Sequence, residues 1–127
     1  MKRALFLALV LLALAGCSGG PATFAGSWVY DDAATRKENA QSASAPRDKA
    51  FWDMMQKAFA PVVISIDLTS GTLTYAKPDA TSSGPIRLEG STLIWTAEPG
   101  REQRYLLNKK GLLETDAGGH VLLFKKK

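Results

Sequence analysis

The chain has 127 residues, one cysteine, one histidine and a formal net charge of +4. That length bounds it to one small domain, and a single cysteine excludes a scaffold of internal disulfides. The charge excess falls to +2 once Lys2 and Arg3 are set aside, too mild a balance to suggest nucleic-acid binding.

The start, Met1-Lys2-Arg3, is basic, and the run from Ala4 to Gly16 carries no charge. A basic segment followed by a short apolar one reads as an export signal. The run is shorter than the roughly 20 residues a membrane-spanning helix needs. It ends on Leu14-Ala15-Gly16-Cys17, which resembles the lipobox of bacterial lipoproteins. The resemblance implies that residues 1–16 are a cleaved signal peptide and that Cys17 becomes the acylated N-terminus. It also implies the partner, a membrane reached through the lipid anchor. Each buried methylene contributes about 0.8 kcal/mol, so two or three acyl chains hold where one is marginal. Thioether formation also removes a thiol that would be a liability outside the cytosol. Residue 18 is Ser rather than Asp. By likeness to lipoprotein sorting in enteric bacteria, this points to the outer membrane, facing the periplasm. Residues 17–23 then form a lipidated terminus and a tether reaching roughly 10–15 Å, and residues 24–127 form the single folded domain.

Within that domain, 24–32 (FAGSWVYDD) reads as a strand with Trp28 and Tyr30 on one face. Residues 33–45 are small and polar with no apolar period, which predicts a loop, and Asp31-Asp32 opens it. Residues 46–60 carry Phe51, Met54, Met55, Ala58 and Phe59 at helical spacing, predicting one amphipathic helix with those residues as its buried stripe and Trp52 beside it. Pro46 suits its first turn, Asp48 and Lys57 complement its dipole, and Pro61 ends it. The period then changes from helical to alternating. Val62, Ile64, Ile66 and Leu68 share one face of a strand over 62–68. Further strands are predicted over 72–76, 85–90, 91–97, 102–108, 112–116 and 120–126, with 77–84 as a loop. Short connections dictate antiparallel pairing. The fold class is therefore mainly β: an up-and-down meander of about eight strands, closing into a small barrel because closure removes both edges.

Phe24-Ala25-Gly26-Ser27-Trp28, followed by a helical insert and a meander, resembles the calycin group: lipocalins, fatty-acid-binding proteins and bacterial lipocalin-like domains. The resemblance implies that Trp28 packs across the closed end of the barrel and that the helix acts as a lid. An eight-strand barrel holds either side chains or one small ligand. If it holds a ligand, Phe51, Trp52, Met55 and Trp28 are the candidate lining residues, and Arg87 and Arg104 are candidates to meet an anionic head group.

No catalytic residue, metal ligand or cofactor site is predicted. His120 reads as an exposed or strand-end histidine, and no nucleophile elbow, phosphate loop or ligand cluster accompanies it. Met54-Met55 reads as core. Lys125-Lys126-Lys127 reads as a solvated terminus blunting an edge strand, because three lysines fall short of the roughly four to eight usual for lipid recognition. The expectation is a non-enzymatic, membrane-anchored lipoprotein that binds a small apolar or amphipathic ligand. The alternative is a periplasmic protein-interaction module such as an inhibitor, an immunity-type protein or an accessory subunit of an envelope complex.

Replacing the anchor residue separates acylation from simple secretion. Cys17→Ser is expected to abolish incorporation of labelled palmitate and to release the product from the lipid fraction; unchanged labelling shows that Cys17 is not the acylated residue.

Overall fold

The computed structural model describes residues 21–40 and 49–127. The Leu14–Cys17 motif, Ser18 and the helix-start residues Pro46 and Asp48 lie outside the described residues. Eight strands run in chain order around a closed antiparallel barrel: β1 (Gly26–Tyr30), β2 (Val63–Asp67), β3 (Thr72–Lys77), β4 (Ala80–Glu89), β5 (Thr92–Glu98), β6 (Arg101–Leu107), β7 (Leu113–Ala117) and β8 (His120–Lys126). The mainly β, up-and-down barrel expected from the alternation is therefore present. Val62, Ile64 and Ile66 point into the core, as do Trp28 and Tyr30.

Among the described residues, two helices, not one, lie between β1 and β2: α1 (Asp32–Ala40) and α2 (Lys49–Phe59). The described part of the stretch read as a polar loop, 33–40, is thus helix, and its polarity has a use. The ladder between β1 and β8 spans only Trp28↔Lys126 to Tyr30↔Phe124. Beyond Tyr30 that edge of β8 has no strand beside it, and α1 takes the strand's place. Asp31 N–H donates to the Leu123 carbonyl at 2.8 Å. The Thr35 hydroxyl accepts from Leu123 N–H at 3.0 Å and faces the Leu123 carbonyl at 3.4 Å. The Asn39 amide accepts from Val121 N–H at 3.0 Å and donates to the Val121 carbonyl at 2.8 Å. Four helical residues advance about 6 Å and two extended residues about 6.6 Å, so side chains four apart on α1 meet backbone groups two apart on β8. Thr35 and Asn39 are consequently buried. Asp31, read as the start of a solvated loop, caps α1 by accepting from Ala34 N–H at 3.0 Å.

The stripe expected on α2 is also corrected. Trp52 is its buried residue, while Met54 is 58% exposed and Phe51, Met55 and Phe59 are only half-buried. The helix does not lie flat on a sheet. It meets the barrel end through side chains: Phe51 and Trp52 pack on His120 with ring centroids at 5.1 and 5.6 Å, and Phe59 stacks on Tyr30 at 5.5 Å. Trp52 turns toward His120, and Met54 is left facing water. His120 begins β8, as a strand-end reading allows, but these rings leave it buried rather than exposed. Arg36 ties the helices together, bonding Asp32 at 2.9 Å and Asp53 at 2.8 Å.

The stretch 77–84, expected as a loop, is mostly strand. Only Pro78 and Asp79 turn, and β4 starts at Ala80. Its first half pairs with β3, through Lys77↔Ala80 to Thr72↔Pro85. Its second half pairs with β5, through Ile86↔Trp95 to Glu89↔Thr92. Pro85, without an N–H, sits where the partner changes. At Gly84 the strands crowd, so a Cβ would overlap the Thr96 carbonyl oxygen. Serine, glycine and proline serve here to bend a strand, a device that looks like a loop in sequence.

At the end where the chain begins the barrel, a 3-10 turn (Pro21–Phe24) leads into β1. Phe24 and Trp28 are both 1% exposed, and the Trp28 indole N–H donates to the Phe24 carbonyl at 2.9 Å. Gly26 takes φ +118°, which side-chain-bearing residues rarely adopt. This end is filled.

The seam between α1 and β8 is open to measurement. Asn39→Leu leaves two backbone groups of Val121 unsatisfied and is expected to lower the unfolding free energy by about 2–3 kcal/mol. Ala40→Leu on the exposed side is expected to change it by less than about 0.5 kcal/mol. Urea titrations of both variants provide the check.

Candidate functional site

The strand alternation that fills one end leaves room at the other. A cavity of about 610 Å³ opens at the end of the barrel where α2 sits, within the usual range for small-molecule sites. Its floor is Trp95, Tyr105, Leu122 and Phe124, none more than 6% exposed. Tyr75 on β3 stacks on Trp95 with centroids 6.1 Å apart and planes 17° apart, forming a flat aromatic wall. Phe59 closes the side beneath α2. The exposed rim includes Ser82, Glu98, Arg101, Glu102 and Asp116.

One wall is unusual. β6 and β7 share only two backbone pairs, Leu106↔Glu114 and Leu107↔Leu113. Toward the cavity they separate, and side chains bridge the gap. The Gln103 amide donates to the Thr115 hydroxyl and, at 3.0 Å, to the Asp116 carbonyl. Thr115 in turn donates to the Arg104 carbonyl at 2.7 Å. Gln103, Tyr105, Thr115, Asp116 and Ala117 all line the cavity, so the splay is part of its outline.

Phe51, Trp52, Met55 and Trp28 are not among these walls. Phe51 and Trp52 pack on His120, and Trp28 fills the opposite end. From α2 it is Phe59, one of the stripe residues, that reaches the cavity. The walls come instead from inward positions of β3 and β5–β8, and the sequence signal for them was strand alternation: Gln103 and Tyr105 face in, so Arg104 faces out. Neither Arg87 nor Arg104 lines the cavity. Arg87 bonds Glu89 and Glu102, each at 2.9 Å, on the outer face. Its span from β4 to β6 crosses β5 where Ile94, paired with both Arg87 and Arg104, is wholly buried. The arginine stems shield an apolar residue on the outside of the barrel.

The rim carboxylates are largely engaged. Glu98 pairs with Arg101 at 3.1 Å, and the Arg87 guanidinium holds the Glu102 carboxyl below its usual range. The floor is neutral. Burial pushes the Tyr105 phenol well above its ordinary value, with neighbouring Tyr75 adding to the effect, and burial raises Tyr75 as well. Such a site suits an apolar body placed against aromatic faces. An unpaired anion on that floor would lose its hydration without a compensating cation. Among the described residues, no three His, Cys, Asp or Glu side chains are grouped to hold a metal ion. No helix among them is long and apolar enough to cross a membrane.

Compared with known proteins, the chain matches no family model, no curated protein and no solved structure.

The tyrosine floor has a pH signature. In the unfolded chain Tyr105 ionises near its ordinary value of about 10, whereas in the barrel it stays neutral to higher pH. The contribution of this residue to stability is therefore fully present below about pH 10 and is lost above it, with a slope approaching 1.4 kcal/mol per pH unit at about 25 °C. Tyr105→Phe is expected to flatten that alkaline loss, measured as the denaturation midpoint against pH.

Proposed function

We propose that the protein is a non-enzymatic bacterial lipoprotein, anchored through Cys17 in the cell envelope with its barrel in the periplasm, that binds a small apolar or amphipathic molecule. The observation that carries the binding reading is the open cavity of about 610 Å³ with a buried aromatic floor. A domain of this size has little apolar surface to spare, and an unfilled interior forgoes packing that would otherwise stabilise the fold. The lipobox-like Leu14-Ala15-Gly16-Cys17 supports the anchor, and Ser18 supports the outer membrane as its destination. The lipocalin-like character rests on the Gly26-x-Trp28 start together with an eight-strand closed barrel whose first connection carries helices.

The paired rim and neutral floor favour an uncharged or weakly polar ligand over a strongly anionic one. Arg87 and Arg104, outside the cavity, lend no support to an anionic head group. A protein-interaction role is the competing outcome, and it is tested alongside.

The neutral dye N-phenyl-1-naphthylamine is expected to bind saturably, one per chain, with enhanced fluorescence. Ala97 lies half-buried on the cavity wall, and Ala97→Trp is expected to cut that affinity at least about tenfold, which is about 1.4 kcal/mol, with the denaturation midpoint retained. Absence of saturable binding, or equal binding by a folded Ala97→Trp, overturns the ligand reading. Native mass spectrometry of protein from its own membranes then distinguishes a co-purified small molecule from a bound polypeptide.

A further inference from the structure

We infer that the filled end of the barrel, opposite the cavity, is a basic face that rests on anionic phospholipid headgroups. The inference is argued from charge placement, and the membrane-anchor reading supplies its geometry. In sequence, Lys125–Lys127 is a run of three. The fold adds two more. The β7–β8 ladder ends on Leu113↔Phe124. Just beyond that pair, one strand is reached through the turn carrying Lys109 and Lys110, and the other runs out through Lys125, Lys126 and Lys127. Five exposed lysines thus share one end of the barrel, inside the range of about four to eight typical of surfaces that recognise acidic lipids.

None of the five pairs with a carboxylate among the described residues. Lys126 bonds the Ala25 carbonyl and lies 4.6 Å over the Trp28 ring, which fixes its stem and leaves its charge in place. Two of the acidic side chains at this end are engaged. Asp67 accepts from the backbone N–H of Thr69 and Ser70 at 2.9 and 3.3 Å, and Glu89 is held by Arg87 at 2.9 Å. Glu38 and Glu114 lie with Lys37 along the groove that Lys109 and Lys110 border, so the lysines outnumber the carboxylates at this end without being alone there. The cavity end is composed differently, with Asp79, Glu98, Glu102 and Asp116 interspersed with Lys77 and Arg101. A strand of seven residues spans about 23 Å. The two ends are therefore more than two screening lengths apart at physiological salt, about 8 Å each, and act independently.

A membrane is favoured over an acidic protein because the chain enters at this same end. Ala25 and Ser27 are bonded to Lys126 and Lys127, and Cys17 stands only four residues ahead of Pro21. An acyl chain on Cys17 brings these lysines to the headgroups and turns the cavity toward the aqueous side.

The test uses the full-length product expressed in a bacterial host. It is mixed with vesicles of phosphatidylcholine alone or of phosphatidylcholine with phosphatidylglycerol, floated, and acetylated with an amine reagent. Acetylation at Lys109, Lys110 and Lys125–Lys127 is expected to slow at least about fivefold on the anionic vesicles, to recover in high salt, and to stay unchanged at Lys57 and Lys77. Flotation on both vesicles with equal labelling overturns the inference and leaves the anchor standing. Flotation on the anionic vesicles alone, with those five lysines protected, supports the face and overturns the anchor. Flotation on neither overturns both. Protection of the same lysines on phosphatidylcholine overturns the inference, since contact there owes nothing to lipid charge. Lys109→Glu with Lys110→Glu, in a variant that keeps its denaturation midpoint, is expected to remove the protection at Lys125–Lys127.

Discussion

The barrel depends on how β8 satisfies its second edge. β1 covers that edge only as far as Tyr30↔Phe124, and an exposed row of unpaired backbone groups there would leave the sheet open. Thr35 and Asn39 finish the job from a helix, each answering the N–H and C=O of one β8 residue. The rest follows from that substitution. The chain leaves the sheet after β1 without opening it, α1 is pinned along the wall, and Arg36 on α1 reaches Asp53 to hold α2 at the barrel end. Lys49 and Arg36 keep the Asp53 carboxyl below its usual range, so this tie persists across neutral pH. The two polar side chains are buried without penalty because their bonding groups are met.

The two ends of the barrel reach opposite solutions with the same alternation. At the end where the chain enters, Phe24 and Trp28 fill the interior. At the other, aromatic side chains line the wall and stop short of the axis, while α2 leans over through Phe51, Trp52 and Phe59. Gly84 and Pro85 let β4 turn the corner between β3 and β5, which keeps the wall continuous beside Trp95.

Strand number, order and inward faces were legible because the meander alternates cleanly: Val62-x-Ile64-x-Ile66 and Leu122-x-Phe124 each put both members inside. Three things were not. The helix over Asp32–Ala40 buries Thr35 and Asn39, so its inward face carries no apolar period to read. Its signal is only a pair of hydrogen-bonding residues four apart. On α2, helical spacing marked a stripe, but the helix crosses a barrel rim, and the neighbour that selects Trp52 over Met54 is His120, about seventy residues away in sequence. In β4, Ser-Ser-Gly-Pro has the composition of a loop, and only the change of partner between β3 and β5 explains why a strand needs it. The cavity escaped for a related reason. Side-chain alternation tells which residues face inward and not how far they extend toward one another, so the helix was credited with walls that β3 and β5–β8 supply.

The two-pair seam between β6 and β7 also carries a kinetic meaning. Elsewhere the barrel must break a longer run of backbone bonds to part. Here the residues on the cavity side are held by one glutamine and one threonine, whose rotamers exchange far faster than a ladder unzips. The amide protons of 103–105 and 115–117 that face this seam should then trade with solvent well ahead of those bonded across to β5 and β8, so the wall loosens at one line while both flanking ladders stay closed.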